Sequence, residues 1–444
     1  LAFAVRDEGY RVVYQPKSVV VHFEGISNGT DVSTGIKKYQ VENQKKLCEK
    51  WKEVLESEHF PNGEEVFLAR DRSRFKKTIV VVDHYVPHYD TDAGGRCTFE
   101  YLKLFVELNM HVVFVGDNYA PHQPYTDELR QMGVNVLAGE CWTIQRFRKW
   151  LDANAKYVDY VYLNRPHISV KYIDMFKEMT KAKIFYFGHD LHFIRERRQA
   201  EIENRPELLE SAEKWEKVEC GLFTKADVVH VVGAYEQGVL QEMFPGKPIR
   251  NIPLYLYEEG EMQSVGANGI EGRSTMIFVG GFNHQPNQDA VFWFMDEIYP
   301  KIIAEIPDLM FYIVGSRPTE KVKALANDKV VVTGYVSDEE LEKLYSKARV
   351  NVIPLRYGAG VKGKVVETLA FGVPAVTTPI GAEGLPDVER CLDVVEEPEE
   401  YAARVLRYLR DDDYWVEHAK LGQQYIQEHF TKTHAKDILL KDMK

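Results

Sequence analysis

Pro354-Leu355-Arg356-Tyr357-Gly358-Ala359-Gly360-Val361-Lys362-Gly363-Lys364-Val365-Val366-Glu367 follows an apolar run and leads into helical spacing. A strand ends at Pro354, a glycine-rich loop follows, and a helix is expected from Gly363 to Phe371, stopped by Gly372 with Pro374 just beyond. Glycines let a backbone approach a ligand closely, and free N–H groups at a helix start favour a diphosphate. Lys362 and Lys364 add positive charge at the same point, and Glu367, one turn in, suits ribose hydroxyls. A plain strand–turn–helix with solvated lysines is the competing reading. A glycine loop alone would favour it, whereas the lysines, the glutamate and the flanking pattern favour phosphate binding.

Outward from this loop the chain is regular. Short β-branched runs at 276–279, 310–314, 330–332, 350–354 and 375–377 alternate with helical spacing. The same alternation runs earlier, at 78–83, 111–115, 134–137, 160–163, 184–187, 228–232 and 249–254. Near-continuous apolar strands between helices signal parallel sheets covered on both faces. Two such units, separated by a polar glycine-containing stretch at 260–273, make a cleft at their strand C-terminal ends. The predicted organisation is a small unit plus linker at 1–75, a first Rossmann-like domain at 76–262, a second at 263–412, and bracing helices at 413–444.

The first 75 residues break the pattern. Residues 9–16 and 18–23 read as two strands, followed by a polar loop at 25–34 and an amphipathic helix near 35–55 with Trp51 and Leu55 on its apolar side. So small a piece has little core of its own. With Leu1 in place of Met, the chain reads as part of something longer.

Composition bounds the partners. A net charge of −12 argues against general nucleic-acid binding, which needs a basic field. Five scattered cysteines without a CxxC pair fit a reducing cytoplasm and offer no metal cluster. No apolar run reaches the ~18 residues that cross a bilayer. The basic-aromatic helix expected at 143–156 has two readings, contact with anionic lipid at the inner face of a membrane or a surface helix turning Phe147 and Trp150 into the core; the second is preferred.

Three further stretches carry candidate chemistry. Asp92-Ala93-Gly94-Gly95-Arg96 follows the first strand and opens a helix, so Gly94 and Gly95 are candidates for close approach of a donor phosphate or acceptor. Gly188-His189-Asp190-Leu191-His192 sits at a strand end, where doubly wound sheets place site residues. A histidine that merely caps the strand is the competing reading. Asp190 suits acceptor hydroxyls, and Arg195 and Arg198 suit a phosphate, although Glu196, Glu201 and Glu203 make a self-paired helix face an equal alternative.

The 354–367 loop, with Phe278-Val279-Gly280-Gly281 before it and Gly334-Tyr335-Val336-Ser337 between, resembles family 4 glycosyltransferases of the GT-B fold over 77–444. The resemblance implies a retaining transferase of hexosyltransferase type that moves a sugar from a nucleotide-sugar donor to a glycan or lipid-linked acceptor, with no cofactor and no metal. It implies donor contacts at Gly94, Gly95, Gly280, Gly281, Tyr335, Gly358, Gly360, Lys362, Gly363, Lys364 and Glu367, and a catalytic role for His189 beside Asp190. Glu367 matches the second glutamate of the E-x7-E motif, while the first falls at Ala359. The usual Arg and Lys after the first strand of the donor domain are replaced by Phe282-Asn283-His284-Gln285-Pro286-Asn287, leaving the phosphate charge to Lys362 and Lys364. Residues 9–16 and 21–27 are similar to the end of a family 2 transferase of the GT-A fold. That implies a metal-binding transferase domain fused upstream of this chain. A nucleotide-sugar 2-epimerase and a donor-binding scaffold without activity are the rival functions.

Overall fold

The computed structural model describes residues 1–10, 12, 13, 18–21, 31–33, 35–69, 74–202, 204–260, 267–358 and 360–444. Ala359, Glu203, His22 and the loop at 25–30 therefore lie outside the described residues. Two compact units divide the chain, Leu1–Lys76 and Lys77–Lys444.

The first unit corrects the expectation of two strands. Ala2–Asp7 is a helix, closed by Gly9 at φ 80° with the amides of Gly9 and Tyr10 bonded to Arg6 and Val5 carbonyls. No described residue of this unit is in a strand. Val12, Val13 and residues 19–21 are exposed, and an apolar run with no neighbouring ladder has nothing to satisfy its backbone as a strand. The expected amphipathic helix forms as Lys38–Lys50 and Lys52–Glu58, interrupted at Trp51, whose ring stacks on Phe3 at 5.4 Å.

The second unit holds two parallel sheets. In the first, β1 (Thr78–Asp83), β2 (His111–Gly116), β3 (Asn135–Val136), β4 (Val158–Asn164), β5 (Lys183–Phe187), β6 (Val228–Val231) and β7 (Ile249–Asn251) take the order β3-β2-β1-β4-β5-β6-β7. In the second, β8 (Thr275–Val279), β9 (Phe311–Val314), β10 (Val330–Gly334), β11 (Ala348–Ile353), β12 (Ala375–Thr377) and β13 (Asp393–Val394) take the order β10-β9-β8-β11-β12-β13. Strand order reverses between β1 and β4 and again between β8 and β11. A crevice opens beyond the strand ends at such a reversal. β1 and β11 are buried at every position, the pattern that near-continuous apolar runs foretell. The expected strand at 249–254 is shorter, since β7 stops at Asn251 with Ile252 and Leu254 buried in the segment that leaves the sheet, and β13, a strand the sequence reading missed, is too short to show a period.

The helices that matter for the cleft are α1 (Ala93–Glu107), α2 (Pro166–Met179), α3 (His192–Ile202), α4 (Glu207–Lys225), α5 (Ala234–Met243), α6 (Gly363–Ala370), α7 (Asp412–His429) and α8 (Lys432–Asp442). One buried apolar cluster runs from Ile79 and Phe114 through Tyr255 to Phe278 and Val352, so the two sheets share a continuous core. α7 packs on the second sheet's side. Trp415 is fully buried with its indole N–H donating to the Arg349 carbonyl at 2.6 Å, and a Cβ on Gly422 would lie 2.9 Å from Leu369 of α6. α8 returns to the first sheet, where Asp442 accepts from Arg250 Nε at 3.0 Å and Tyr160 donates to the Met443 carbonyl at 2.6 Å. Among the described residues no helix is long and apolar enough to cross a membrane. The 143–156 segment forms a helix, Ile144–Asn154, with Phe147 fully buried and Trp150 half-buried.

Candidate active site

A cleft of about 2440 Å³ lies between the two sheets, lined from both sides. On the second sheet's side, β11 delivers the glycine loop and α6 begins at its end. No side chain caps α6. The Val365 amide bonds the Lys362 carbonyl at 2.8 Å, which leaves the Gly363 and Lys364 amides to meet an anion, where the helix dipole also favours negative charge. A side chain on Gly363 would collide with the buried Tyr255 hydroxyl, so that position needs glycine. Gly360 sits at φ 73°, left-handed backbone that costs a side-chain-bearing residue.

The two lysines of the loop have different surroundings. Lys364 is half-buried, 2.5 Å from Asn287 Oδ1 and 4.5 Å from the centroid of the Phe278 ring. Burial, reinforced by Lys362, pulls it down to about 7. A Cβ on Gly280 would lie 2.7 Å from Lys364 Nζ, so the Gly280-Gly281 pair lets the lysine reach the end of β8. Lys362 instead turns back on its own loop: its ammonium bonds the Gly360 carbonyl and lies 3.9 Å from Glu383. Arg356 leaves the cleft altogether and pairs with Asp289. Glu367 lines the cleft, but both its oxygens already have partners. Oε1 is 2.9 Å from Arg96 Nη1, and Oε2 accepts from Tyr345 at 3.3 Å. Burial raises Glu367 above the usual range against the pull of Arg96.

On the first sheet's side, Asp92 caps α1 by accepting from the Gly95 amide at 2.7 Å. A Cβ on Gly94 would lie 2.6 Å from Arg165 Nη2, and one on Gly95 would lie 2.6 Å from the His88 carbonyl. His189, at the end of β5, takes φ 68° and is buried, its ring 4.2 Å from Phe187. Neither ring nitrogen has a hydrogen-bond partner among the described residues. Burial first, and then Arg165, pull it down to about 3, so the ring is neutral. Asp190 pairs with Arg195 and lies 3.1 Å from His192 Nδ1. Burial would raise its carboxyl, but Arg195 and His192 outweigh it and hold it below the usual range. Arg198 lies outside the cleft lining and joins the two sides, donating to the Gly358 carbonyl at 3.0 Å and to Glu383 at 2.6 Å. Tyr335 is 59% exposed at the cleft edge.

The structure adds residues that the sequence reading passed over. Arg96 sits within the second glycine pattern yet reaches across to Glu367 and over the Tyr255 ring at 4.2 Å. Arg165, at the N-terminus of α2, adopts φ 62° and bonds the buried Asp83 at 2.8 Å, while its Nη2 makes no hydrogen bond among the described residues and lies 4.0 Å from Asp92 Oδ1. Glu219 of α4 accepts from the His192 and Phe193 amides, both at 3.1 Å, and so caps α3. Burial raises it to about 7. Glu236 of α5 is buried with neither oxygen bonded among the described residues, also raised to about 7 by burial. His284 lines the cleft near Lys364 and is drawn down to about 4 by burial and that lysine. An arginine that serves a partner 271 positions away leaves no local mark in sequence. Among the described residues no group of three or more His, Cys, Asp or Glu is arranged to hold a metal ion.

Residues 273–411 match the family model described as glycosyl transferases group 1. A Klebsiella pneumoniae protein, uncharacterized and in a cps region, is 26% identical over 163 residues, covering 35% of this chain and 42% of its own length. The chain thus spans about two fifths of the curated relative it matches. Sucrose-phosphate synthase from Thermosynechococcus elongatus is similar in structure, with a TM-score of 0.64, 17% identity, and coverage of 82% of this chain and 97% of its own. HepE from Anabaena, solved with UDP-glucose, gives 0.59 at 13% identity, covering 82% and 98%. The trehalose 6-phosphate synthase of Burkholderia multivorans gives 0.58 at 12%, covering 83% and 98%. The shared architecture is the GT-B fold, two Rossmann-like domains facing across a cleft.

Proposed function

We propose that the chain is a retaining family 4 glycosyltransferase of hexosyltransferase type, moving a sugar from a nucleotide-sugar donor to a glycan or lipid-linked acceptor. The observation that carries this reading is Lys364, set beside Gly280 and Asn287 at the uncapped start of α6, on the same cleft as His189, whose ring nitrogens make no hydrogen bond among the described residues. The donor diphosphate rests on the α6 amides, Lys364 and the Gly280-Gly281 turn, with its ribose on Glu367. His189 faces the transferred sugar as a neutral hydrogen-bonding group, and Asp190, fixed by Arg195, orients the reacting hydroxyl. The acceptor oxygen forms its bond to the anomeric carbon on the face the diphosphate leaves, and the departing diphosphate oxygen takes the acceptor's proton. Catalysis then rests on positioning and on stabilising the leaving group's charge. The match to group 1 glycosyl transferases over the donor loop supports this reading. The cps-region relative favours polysaccharide assembly.

Incubation with radiolabelled UDP-, GDP- and dTDP-sugars tests it. Transfer, or slow release of free sugar, is expected, and it persists in EDTA because no metal is required. Interconversion of epimers, or binding without turnover, overturns the assignment. We further propose that residues 1–75 end a family 2 transferase of the GT-A fold fused upstream, on the strength of Gly9-Tyr10-Arg11-Val12-Val13-Tyr14 and Val21-His22-Phe23. A parent chain bearing a second, metal-dependent transferase activity that survives Glu367→Ala is the expected result.

A further inference from the structure

On the β2 side of β1 the cleft carries aromatic rings that the donor site does not use. The loop after β1 supplies Tyr85, His88 and Tyr89, and the loop after β2 supplies His122, all half-buried and all lining the cleft. The rings hold one another in place. Tyr85 and His122 lie near-parallel with centroids 5.6 Å apart, His88 Nε2 is 2.7 Å from His122 Nδ1, and His88 stacks on Tyr125 at 4.4 Å. Tyr125 in turn donates to Asp90 at 2.7 Å, and Tyr85 to Asp92 at 3.2 Å. Anchored rings lose little freedom when a ligand packs on them, which is how aromatic surfaces bind cheaply in entropy.

The charges on this surface are selective. Two carboxyl side chains of this surface, Asp90 and Asp92, line the cleft. Desolvation raises the Tyr335 hydroxyl, and Asp90, Asp338 and Glu339 push it the same way. The adjoining guanidinium, Arg165, bonds Asp83 through Nε at 2.8 Å and lies 4.0 Å from Asp92 through Nη2, so carboxylates of the protein already face it on both sides. Burial, followed by the neighbouring His122, keeps His88 below its ordinary value and so uncharged at neutral pH. An anionic ligand meets like charge here, whereas a pyranose offers an apolar ring face for the aromatics and hydroxyl donors for the carboxylates.

Resting on the glycosyltransferase reading above, we propose that this wall is the acceptor subsite and that it takes an uncharged glycan, one pyranose packing on the Tyr85–His122 pair with its hydroxyls bonded to Asp90 and Asp92. A phosphate-bearing acceptor places its phosphate elsewhere. Saturation-transfer NMR on the full chain tests this with maltotriose, lactose, cellobiose and chitobiose as neutral probes, and glucose 6-phosphate and glycerol 3-phosphate as anionic ones. At least one neutral sugar is expected to give ring-proton signals. Tyr85→Ala should weaken its binding about tenfold while UDP binding holds. His122→Gln, which keeps polarity and approximate volume, guards against a folding artefact and should weaken it in the same direction. Silence from every neutral sugar, or stronger Tyr85-dependent signals from the phosphorylated probes, overturns the subsite. Loss of UDP binding in the unaltered chain, with neutral sugars still held by the wall, instead sinks the donor site and leaves the wall standing.

Discussion

Arg96 Nη1 lies 2.9 Å from Glu367 Oε1, joining α1 to α6 across the cleft between residues 271 positions apart. The carboxylate assigned to donor ribose is thus also a fastening between the two domains. A carboxylate has about four acceptor sites, so Arg96, Tyr345 and ribose hydroxyls can share it. Arg96→Ala removes a charge-assisted hydrogen bond and should cost about 2 kcal/mol of stability. Glu367→Ala should weaken UDP binding about 10- to 100-fold, because a charged acceptor is lost. Calorimetric titration with UDP and thermal melts of both variants measure these effects, and unaltered UDP affinity in Glu367→Ala removes the ribose from this residue.

Lys364 gives the donor site a pH signature. Its value near 7 in the free protein means that it loses its proton as pH rises through neutrality, whereas a bound diphosphate favours the charged form. UDP affinity should be flat below about pH 6.5 and fall by up to tenfold per unit above pH 7. Lys364→Met should bind more weakly and lose that slope. Proton uptake on binding at pH 8, read by calorimetry in buffers of different ionisation enthalpy, provides the check.

Glu236 predicts an opposite effect on folding. Its folded value of about 7 lies above the ordinary carboxylate value of 4.5, so its contribution is fully present below pH 4.5 and is lost as pH rises through 7. Glu236→Gln keeps the shape without the charge. The melting temperature of this variant minus that of the parent should grow from pH 5 to pH 7 and level off above it. A difference that stays constant over that range contradicts a buried, titrating Glu236.

Neighbouring glycines should respond differently to the same change. At Gly95 a methyl group meets the His88 backbone, which cannot yield without moving the loop, and Gly95→Ala should cost about 1–3 kcal/mol. At Gly94 it meets only the end of the Arg165 side chain, so Gly94→Ala should fold nearly as well and still lose activity through the displaced guanidinium. Thermal melts beside turnover assays separate the two, and equal melting temperatures for both variants would falsify the distinction.

The sequence was most legible where function and local structure coincide. The 354–367 loop announced its strand end, its glycines and its helix start, because each is written in consecutive residues. Val12, Val13 and residues 19–21 show the converse: their β-branched run suggested strands, and the described residues there are exposed coil, since a strand exists only with a neighbour to pair with. Lys362 and Lys364 looked equivalent two residues apart, yet one faces its own loop and the other Asn287.

By itself the sequence determined the two parallel sheets, the glycine loop and the placing of Lys364, Glu367 and His189 at strand or helix ends. Periodicity and turn chemistry are local and survive in a linear text. Only the tertiary structure decided that Arg96 meets Glu367, that Arg165 stands over Gly94 between Asp83 and Asp92, and that Tyr85 and His122 share one wall. Each depends on where strands far apart in the chain are laid side by side, and burial, which sets the charge of Lys364, His189 and Glu236, follows from that packing alone.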